Sequence, residues 1–592
     1  MLCTICERGC RLPDGSTGAC GMYRNVGGIV EEVHPDRYLM VCPISVETMP
    51  MLHFHPASKF LQISTIGCNF DCPGCISTVV VKEIDPSCQA VRRISPETIV
   101  GEAEKHECKG IAFLMNDPLA TLHTFVRVAR RAKERGLMAG CASNAYFTEG
   151  ALDSLIPFLD FIHVGFKGGS DDAYAECGAL SMSPVLRNTR ILKERGVHVE
   201  VSCVHKRGKD GEVEHVARQI RGISREIPFH VMRFVPLEQT SRDEEPSIRE
   251  SEDLCSRLRN SLSYVYLFNS PGTEFLSTIC PSCGEVVIKR EFYGPMGAKL
   301  KLNATAPGSP VSCHLCWTPI GIRGEFGKLP FREQMFEGGY PFTRALEILE
   351  AMLITLGVTH GRDLVRALDG ILGSGLFHSL HEAIQAPGSY LDFVAELGGL
   401  VGRSQEAETL IGYLEERLDI IERGVRRART RPSVYYAMGK PWFCINANRM
   451  ENNLVELAGG RSLNRSIEGT GRPGTEITPD RLNRLDPEII FISAFFTSSP
   501  EDFYAECARK GIQVRATRNL RVHCHPIPVS DFGSPRWILG LMHIANTIQP
   551  EHFAFDVTAE ASMFYRRFYH AECSLEQVNL SFGKPFSSWA FE

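Results

Sequence analysis

The stretch "TIGCNFDCPGC", residues 65–75, decides how this chain is read. It packs Cys68, Cys72 and Cys75 into eight residues, directly behind the apolar run "FLQIS". Thiolates this close together usually hold a metal unless the protein is exported and oxidised. A closed tetrahedral site needs four ligands, and an iron–sulfur cubane takes one thiolate per iron. Three cysteines therefore leave one position for an outside ligand. The competing arrangement is a structural zinc site completed by a distant histidine.

Around that stretch the pattern is α/β. Between about residues 60 and 270 lie seven short apolar runs: "FLQISTIGC", "GIAFLMND", "LMAGCASN", "DFIHVGFKG", "VHVEVSCVH", "FHVMRFVP" and "YVYLFNS". They are rich in branched and aromatic residues and nearly continuous, as parallel strands buried on both faces must be. Helices lie between them; one opens at "ISPETIVGEAEKH", with Ser95 as N-cap and Pro96 at the first helical position. Repeated strand–helix units predict a parallel sheet curling towards a barrel, with its chemistry at the C-terminal strand ends. Cys68, Asn116, Asn144, Lys167 and His205 all fall at or just past such ends.

The bulk numbers agree. The chain has 592 residues, 43% hydrophobic and 23% charged, enough for three domains or more. A formal charge of -6 argues against nucleic-acid binding. No apolar run is long enough to span a bilayer, and "MLCTICERGCRL" has no apolar signal region, which predicts a cytoplasmic protein without membrane partners. There, 22 cysteines include metal ligands rather than a disulfide framework. Cys141, Cys203 and Cys444, single in apolar runs, read as small buried hydrophobes.

The spacing Cys68-x3-Cys72-x2-Cys75 after a first strand resembles the signature of the radical S-adenosylmethionine (SAM) superfamily, with Phe70 in the aromatic position. The resemblance implies a [4Fe–4S] cluster on the three thiolates. SAM chelates the open iron in that family, and electron transfer cleaves its sulfonium to a 5′-deoxyadenosyl radical. "GIAFLMNDP" is similar to the second-strand segment of the AmmeMemoRadiSam subgroup, relatives of the pyruvate formate-lyase activating enzyme. That subgroup carries Asn-Glu-Pro where this chain has Asn116-Asp117-Pro118. "SNAYFTEGAL", with Asn144, resembles its third-strand segment. "HVGFKG" resembles a segment that usually carries Asp-x-Lys; Gly165 stands in for the aspartate and Lys167 remains. "PFHVMRFVP" matches a late-strand segment, with Arg233 as a carboxylate partner through its bidentate fork. The resemblance makes Phe70, Asn116, Asp117, Asn144, Lys167 and Arg233 the SAM-binding residues, and implies an electron donor such as a ferredoxin or flavodoxin.

Two more cysteine groups stand apart. Cys3, Cys6, Cys10 and Cys20 match the head segment of the same subgroup and form either a metal site or a covering loop. Cys280 and Cys283, with Cys313 and Cys316, resemble paired zinc-ribbon knuckles; zinc and an auxiliary iron–sulfur cluster both remain open. The expected boundaries are a Cys-rich segment at 1–55, a radical SAM barrel (a partial, TIM-like β/α barrel) at 56–277, a small CxxC-rich β segment at 278–334, a helical linker at 335–430, and an α/β lobe at 431–592. In the linker Leu346, Leu349, Leu353 and Leu356 have helical spacing. In the lobe "SVYYAM", "EIIFISA" and "IQVRAT" read as strands.

"RPSVYYAMGKPWFCINANRMENNLVELAGGRSLN" and "ITPDRLNRLDPEIIFISA" resemble one lobe of class III substrate-binding proteins, which capture siderophores, haem or vitamin B12. The resemblance suggests cobalamin bound near Trp442, Asn446 and "RVHCHP", with His523 or His525 as a cobalt ligand or simply a surface residue. Combined with the barrel, it implies a cobalamin-dependent C-methyltransferase of methanogenesis acting on a protein substrate, a glutamine of methyl-coenzyme M reductase being the specific expectation. A glycyl-radical activase and a corrinoid or metal carrier are the alternatives.

Overall fold

The computed structural model describes residues 1–88, 90–236, 242–306, 310–328, 331–333, 336–359, 362–469, 472–493, 499–525 and 533–570. The chain divides into two compact units. The first comprises Met1–Phe234, Glu250–Asn269 and Glu274–Thr343; the second holds the described residues of Val235–Arg249, Ser270–Thr273 and Arg344–Glu592.

The first unit is built on an eight-stranded sheet. Strand β1 (Met40–Ser45) runs antiparallel to β2 (Lys59–Ser64). Strands β3 (Gly110–Phe113), β4 (Met138–Ser143), β5 (Phe161–Phe166), β6 (His198–His205), β7 (Phe229–Arg233) and β8 (Val265–Phe268) follow side by side in chain order, all parallel. Each of the seven apolar runs thus supplies one parallel strand. The order ends at β1 and β8, so among the described residues the sheet is a partial barrel rather than a closed one. The crossovers carry α1 (Pro96–Lys105), α2 (Leu122–Glu134), α3 (Glu149–Leu155), α4 (Asp171–Glu176), α5 (Ser183–Glu194) and α6 (Asp210–Ile223). Ser95 caps α1 as its position requires, its hydroxyl accepting from Thr98 N at 3.2 Å.

The amino ends of the strands are closed by a buried polar floor. Glu200 on β6 accepts from Leu52 N (2.9 Å), His53 N (2.7 Å), His198 Nε2 (3.0 Å) and His230 Nε2 (2.9 Å). Beneath it lies a small antiparallel sheet of β9 (Thr278–Ile279), β10 (Val286–Phe292) and β11 (Ala298–Asn303). Arg290 on β10 ion-pairs with Glu47 at 2.9 Å and donates to Leu52 O and Thr278 Oγ1. A buried charge needs such complete pairing to be tolerated.

The compact units cut across the expected boundaries. β1 lies inside the 1–55 segment because its register with β2, from Met40↔Ser64 to Ser45↔Lys59, extends the sheet by one edge. The CxxC-rich segment belongs to the same unit as the barrel.

In the second unit, helices α7 (Arg362–Ser374), α8 (Leu376–Ala383), α9 (Pro387–Leu400) and α10 (Ser404–Val425) precede a second sheet. Its strands are β12 (Ser433–Met438), β13 (Lys440–Ile445), β14 (Arg461–Ser462), β15 (Gly474–Glu476), β16 (Ile489–Ile492) and β17 (Val522–Cys524), in the order β15-β13-β12-β16-β17 with β14 beside β12. β12, β16 and β17 are parallel, while β13 turns back antiparallel. "IQVRAT" is not a strand. Thr517 Oγ1 takes Val514 N and donates to Val514 O, while Asp486 accepts Arg515 N, and these local bonds close the helical turn Arg515–Arg518. The strand lies further on, at β17. Among the described residues no helix is long and apolar enough to cross a membrane.

Candidate functional site

The site is assembled from strand ends. After β2 the chain turns at Gly67, whose φ is +76° and where a Cβ would meet Met22 Sδ at 2.8 Å; only glycine fits this approach. Asn116, just past β3, grips this turn with its whole amide. Its Oδ1 accepts from Thr65 N (3.0 Å), and its Nδ2 donates to Thr65 Oγ1 (2.8 Å), Ile66 O (3.1 Å) and Gly67 O (3.1 Å). Asp117 accepts from Asn144 N (2.6 Å), Leu119 N (3.0 Å) and Ser143 Oγ (3.0 Å). Asn144, past β4, donates to Asn69 Oδ1 (2.7 Å), with Cys68 Sγ at 4.0 Å. The three predicted polar residues therefore hold the cysteine loop against the sheet with the bonds described. Phe70 N donates to Cys68 Sγ at 3.4 Å, and the Phe70 ring stands edge-on to Tyr146 and Tyr174.

The electrostatics single out Lys167. Burial works against its charge, but the thiols of Cys72, Cys177, Cys75 and Cys68 outweigh that and hold its pKa raised. A half-buried cation among sulfurs suits a group that carries negative charge on several thiolates. Burial, then the Asp117 carboxylate, pushes the Cys68 thiol up; bound iron is what would ionise it. Gly165 leaves room where a side chain could stand: its Cβ would find nothing nearer than Lys167 Nζ and Ser202 Oγ at 3.8 Å. Arg233 is fully buried at the end of β7, its Nε donating to Asn269 O at 2.9 Å while Asn269 Nδ2 returns a bond to Arg233 O.

Cys177 has no counterpart in the sequence reading. It caps α4, its carbonyl accepts from Asp71 N at 3.0 Å, and its thiol faces Cys72 closely enough to shift its pKa. A single cysteine so far along the chain from the cluster of three gives no spacing signal. The sulfurs of Cys68, Cys72 and Cys75 also lack the tight convergence of a mononuclear site; among the described residues, the group found with all donors within 4.8 Å is Cys280, Cys283, Cys313 and Cys316. Wider spacing is what a cubane requires, since each thiolate binds a different iron.

The model of the radical SAM superfamily matches residues 63–220, the stretch from the end of β2 to α6. Residues 63 to 220 are a radical SAM domain. The chain is 28% identical over 331 residues to the uncharacterized protein MJ0808 of Methanocaldococcus jannaschii, covering 54% of this chain and 95% of that one. It is 22% identical over 212 residues to the putative protein YfkA of Bacillus subtilis, covering 33% of this chain and 56% of YfkA. Among solved structures it is similar to a periplasmic solute binding protein from Veillonella parvula, at a TM-score of 0.29 and 20% identity, over 33% of this chain and 60% of that one.

The head segment packs against the radical SAM loop's neighbours: Arg8 donates to Asn69 O (2.7 Å), Glu7 N to Tyr146 O (3.0 Å), and Thr148 Oγ1 to Thr4 O (2.5 Å). Burial raises the Cys6 thiol to about 12, and Cys20, Cys3 and Cys10 add to it, so the four head thiols are neighbours. His205 is buried on β6 between Ser251 Oγ and Asp210 (both 2.9 Å). In the second unit Trp442 is buried, its indole N–H donating to Gly272 O (3.0 Å), with Lys440, Arg509 and Lys510 over its ring. Asn446 N donates to Pro473 O, and the Asn446 carbonyl accepts from Asn452. His523 and His525 sit at the carboxyl end of β17. His525 Nδ1 lies 2.7 Å from Tyr436 Oη, and its ring lies 6.2 Å from that of His543. Burial, then His523, lowers His543 to about 4. His543 joins this histidine group from a distant helix, which no local spacing could reveal.

Proposed function

We propose that the chain is a radical SAM methyltransferase that methylates an unactivated carbon of a protein residue, a glutamine of methyl-coenzyme M reductase being the specific candidate, with cobalamin carried by the second unit. The observation that carries the radical part is the three-thiol loop held by Asn116 and faced by the half-buried Lys167. When bound there, a [4Fe–4S] cluster and SAM supply one-electron cleavage of the sulfonium to a carbon radical. The chain's own residues do the positioning. Asn116 and Asp117 fix the loop, Lys167 balances thiolate charge, and the space beside Gly165 admits part of a ligand. Support for cobalamin comes from the likeness of the C-terminal sequence to class III substrate-binding proteins, which capture siderophores, haem or vitamin B12, and from neutral imidazoles at the carboxyl end of β17, since a neutral histidine is the form that ligates metal.

The test uses the full chain, reconstituted anaerobically with iron and sulfide and given SAM, dithionite, hydroxocobalamin and the partner protein. The reading expects 5′-deoxyadenosine, S-adenosylhomocysteine and a partner heavier by one methyl group. Absence of 5′-deoxyadenosine sinks the radical reading and leaves a carrier. Release of 5′-deoxyadenosine without S-adenosylhomocysteine, together with a glycyl radical on the partner, sinks methylation in favour of an activase.

A further inference from the structure

The four cysteines at the floor of the first unit serve no step of the radical chemistry, yet their geometry is specific. Cys280 Sγ lies 3.4 Å from Cys316 Sγ, and Cys283 Sγ 3.7 Å from Cys313 Sγ; all four sulfurs lie within 4.8 Å of one another. Four thiolates bonded at about 2.3 Å to one tetrahedral ion have edges of about 3.8 Å. Thiolates on the separate irons of a cubane stand further apart, and a disulfide would need about 2.0 Å.

The two halves repeat one backbone design. In the first, Cys280 N donates to Glu285 O (2.7 Å) and Gly284 N to Cys280 O (3.0 Å). In the second, Cys313 N donates to Thr318 O (2.9 Å) and Trp317 N to Cys313 O (3.0 Å). Gly284 and Trp317, each directly after the second cysteine of its pair, both have positive φ, +77° and +61°. A tryptophan rarely takes that conformation; the turn imposes it at the point where the second sulfur must face the other three.

We infer that this quartet holds a single tetrahedral ion of the zinc type, and that the ion clasps the barrel floor rather than relaying electrons. Two residues before Cys280, Thr278 Oγ1 bonds with Tyr266 Oη (2.8 Å) and accepts from Arg290 (2.7 Å). Five residues after Cys316, Gly321 N donates to Tyr264 Oη (2.8 Å), and Gly321 O meets His53 Nδ1 (3.0 Å). Both knuckles therefore run straight into the network around Glu200. That network sits at the amino ends of the strands, whereas Lys167 and the radical SAM cysteines sit at the carboxyl ends. Glu200 pairs with His163, four residues before Lys167, a rise of about 13 Å at roughly 3.3 Å per residue.

The unmutated full chain tests the ion: zinc-edge X-ray absorption should show one zinc per chain with four sulfur neighbours at about 2.3 Å. Nitrogen or oxygen neighbours, or two disulfides found by mass spectrometry of alkylated protein, overturn the assignment. Replacing the exposed pair, Cys283→Ser with Cys316→Ser, should remove the zinc and leave the iron content unchanged; loss of iron instead would show an auxiliary cluster. If that variant does not fold, the absorption spectrum still decides. The clasp is tested by chelating the ion and following amide exchange. Faster exchange across residues 278–292 and 51–54, ahead of residues 65–75, supports it. Exchange confined to 280–285 and 313–318 overturns it.

Discussion

The rim and the floor of the first unit use the same residue type in opposite ways. At the rim, Cys68, Cys72 and Cys75 are spread apart, and their loop is held by Asn116 and Asn144 from two other strand ends, with Asp117 fixing Asn144. At the floor, Cys280, Cys283, Cys313 and Cys316 converge to 3.4 and 3.7 Å, and each knuckle closes on its own backbone. The rim places a half-buried lysine among its sulfurs; the floor leaves Cys283 and Cys316 exposed. A site that must exchange a ligand and accept an electron needs an environment supplied from outside its loop. A site that only ties two chain segments together can carry its whole geometry in two turns.

The largest effect that could break this contrast comes from Cys72→Ala. Three thiolates are the minimum for the cluster, so iron content and SAM cleavage should fall to background while zinc stays. Equal losses of iron from Cys72→Ala and from the floor variants would erase the distinction. Next comes Lys167→Met. Removing a preorganised charge from a dry site costs about a hundredfold in rate, so 5′-deoxyadenosine formation should slow by that order with iron retained. An unchanged rate would reduce Lys167 to packing.

The same contrast explains how much the sequence reveals. All seven parallel strands were legible because strands buried on both faces are continuously apolar, and the three-cysteine loop and the two CxxC pairs were legible because their ligands are neighbours in the chain. Cys177 and His543 were not, since each reaches its group only through the fold. Asn116 and Asp117 were found as polar residues at strand ends, but periodicity cannot tell a residue that touches a ligand from one that holds the loop beneath it. The strand expected at 512–517 failed because Thr517 and Asp486 offer its backbone a closer set of partners than a neighbouring strand does.

Glu200→Gln sharpens the floor side. Burial pushes this carboxyl up, but the hydrogen bonds from His198 and His230 win and hold its pKa well below the usual carboxylate range. Its stabilisation is therefore full above about pH 4.3, the unfolded carboxylate value, and is lost as pH falls through the folded value. His53, lowered to about 3 chiefly by burial, contributes fully above about 6.5 and fades as pH drops towards 3. At pH 7 the glutamine variant should lose about 2 kcal/mol, the worth of a hydrogen bond to a charged group. Below about pH 4.3 the difference between the two proteins should shrink, closing only as pH reaches the folded Glu200 value, because the variant has no carboxyl there to protonate. Hydrogen exchange of β6 at pH 7 and at successive steps below pH 4 reads this directly, and a difference that stays constant down to about pH 2 would mean that Glu200 acts by shape alone.

The smallest effect, Cys177→Ala, probes the rim most finely. Its thiol faces Cys72, and its carbonyl is anchored to Asp71 N at 3.0 Å, so the thiol should stay beside Cys72 when that residue is bound to iron. A hydrogen bond to a cluster sulfur favours the reduced, more negative state. Losing one worth about 1 kcal/mol should lower the one-electron potential by about 40 mV. Iron content should stay the same, and the electron paramagnetic resonance signal of the reduced cluster should keep its intensity at a more negative poise. A serine in place of Cys177 still offers a donor and should restore part of the shift. If alanine leaves the potential where it was, Cys177 only fills space beside the loop. If alanine instead strips an iron, this thiol is a fourth ligand in the SAM-free protein, and the rim resembles the floor more closely than its sulfur spacing suggests.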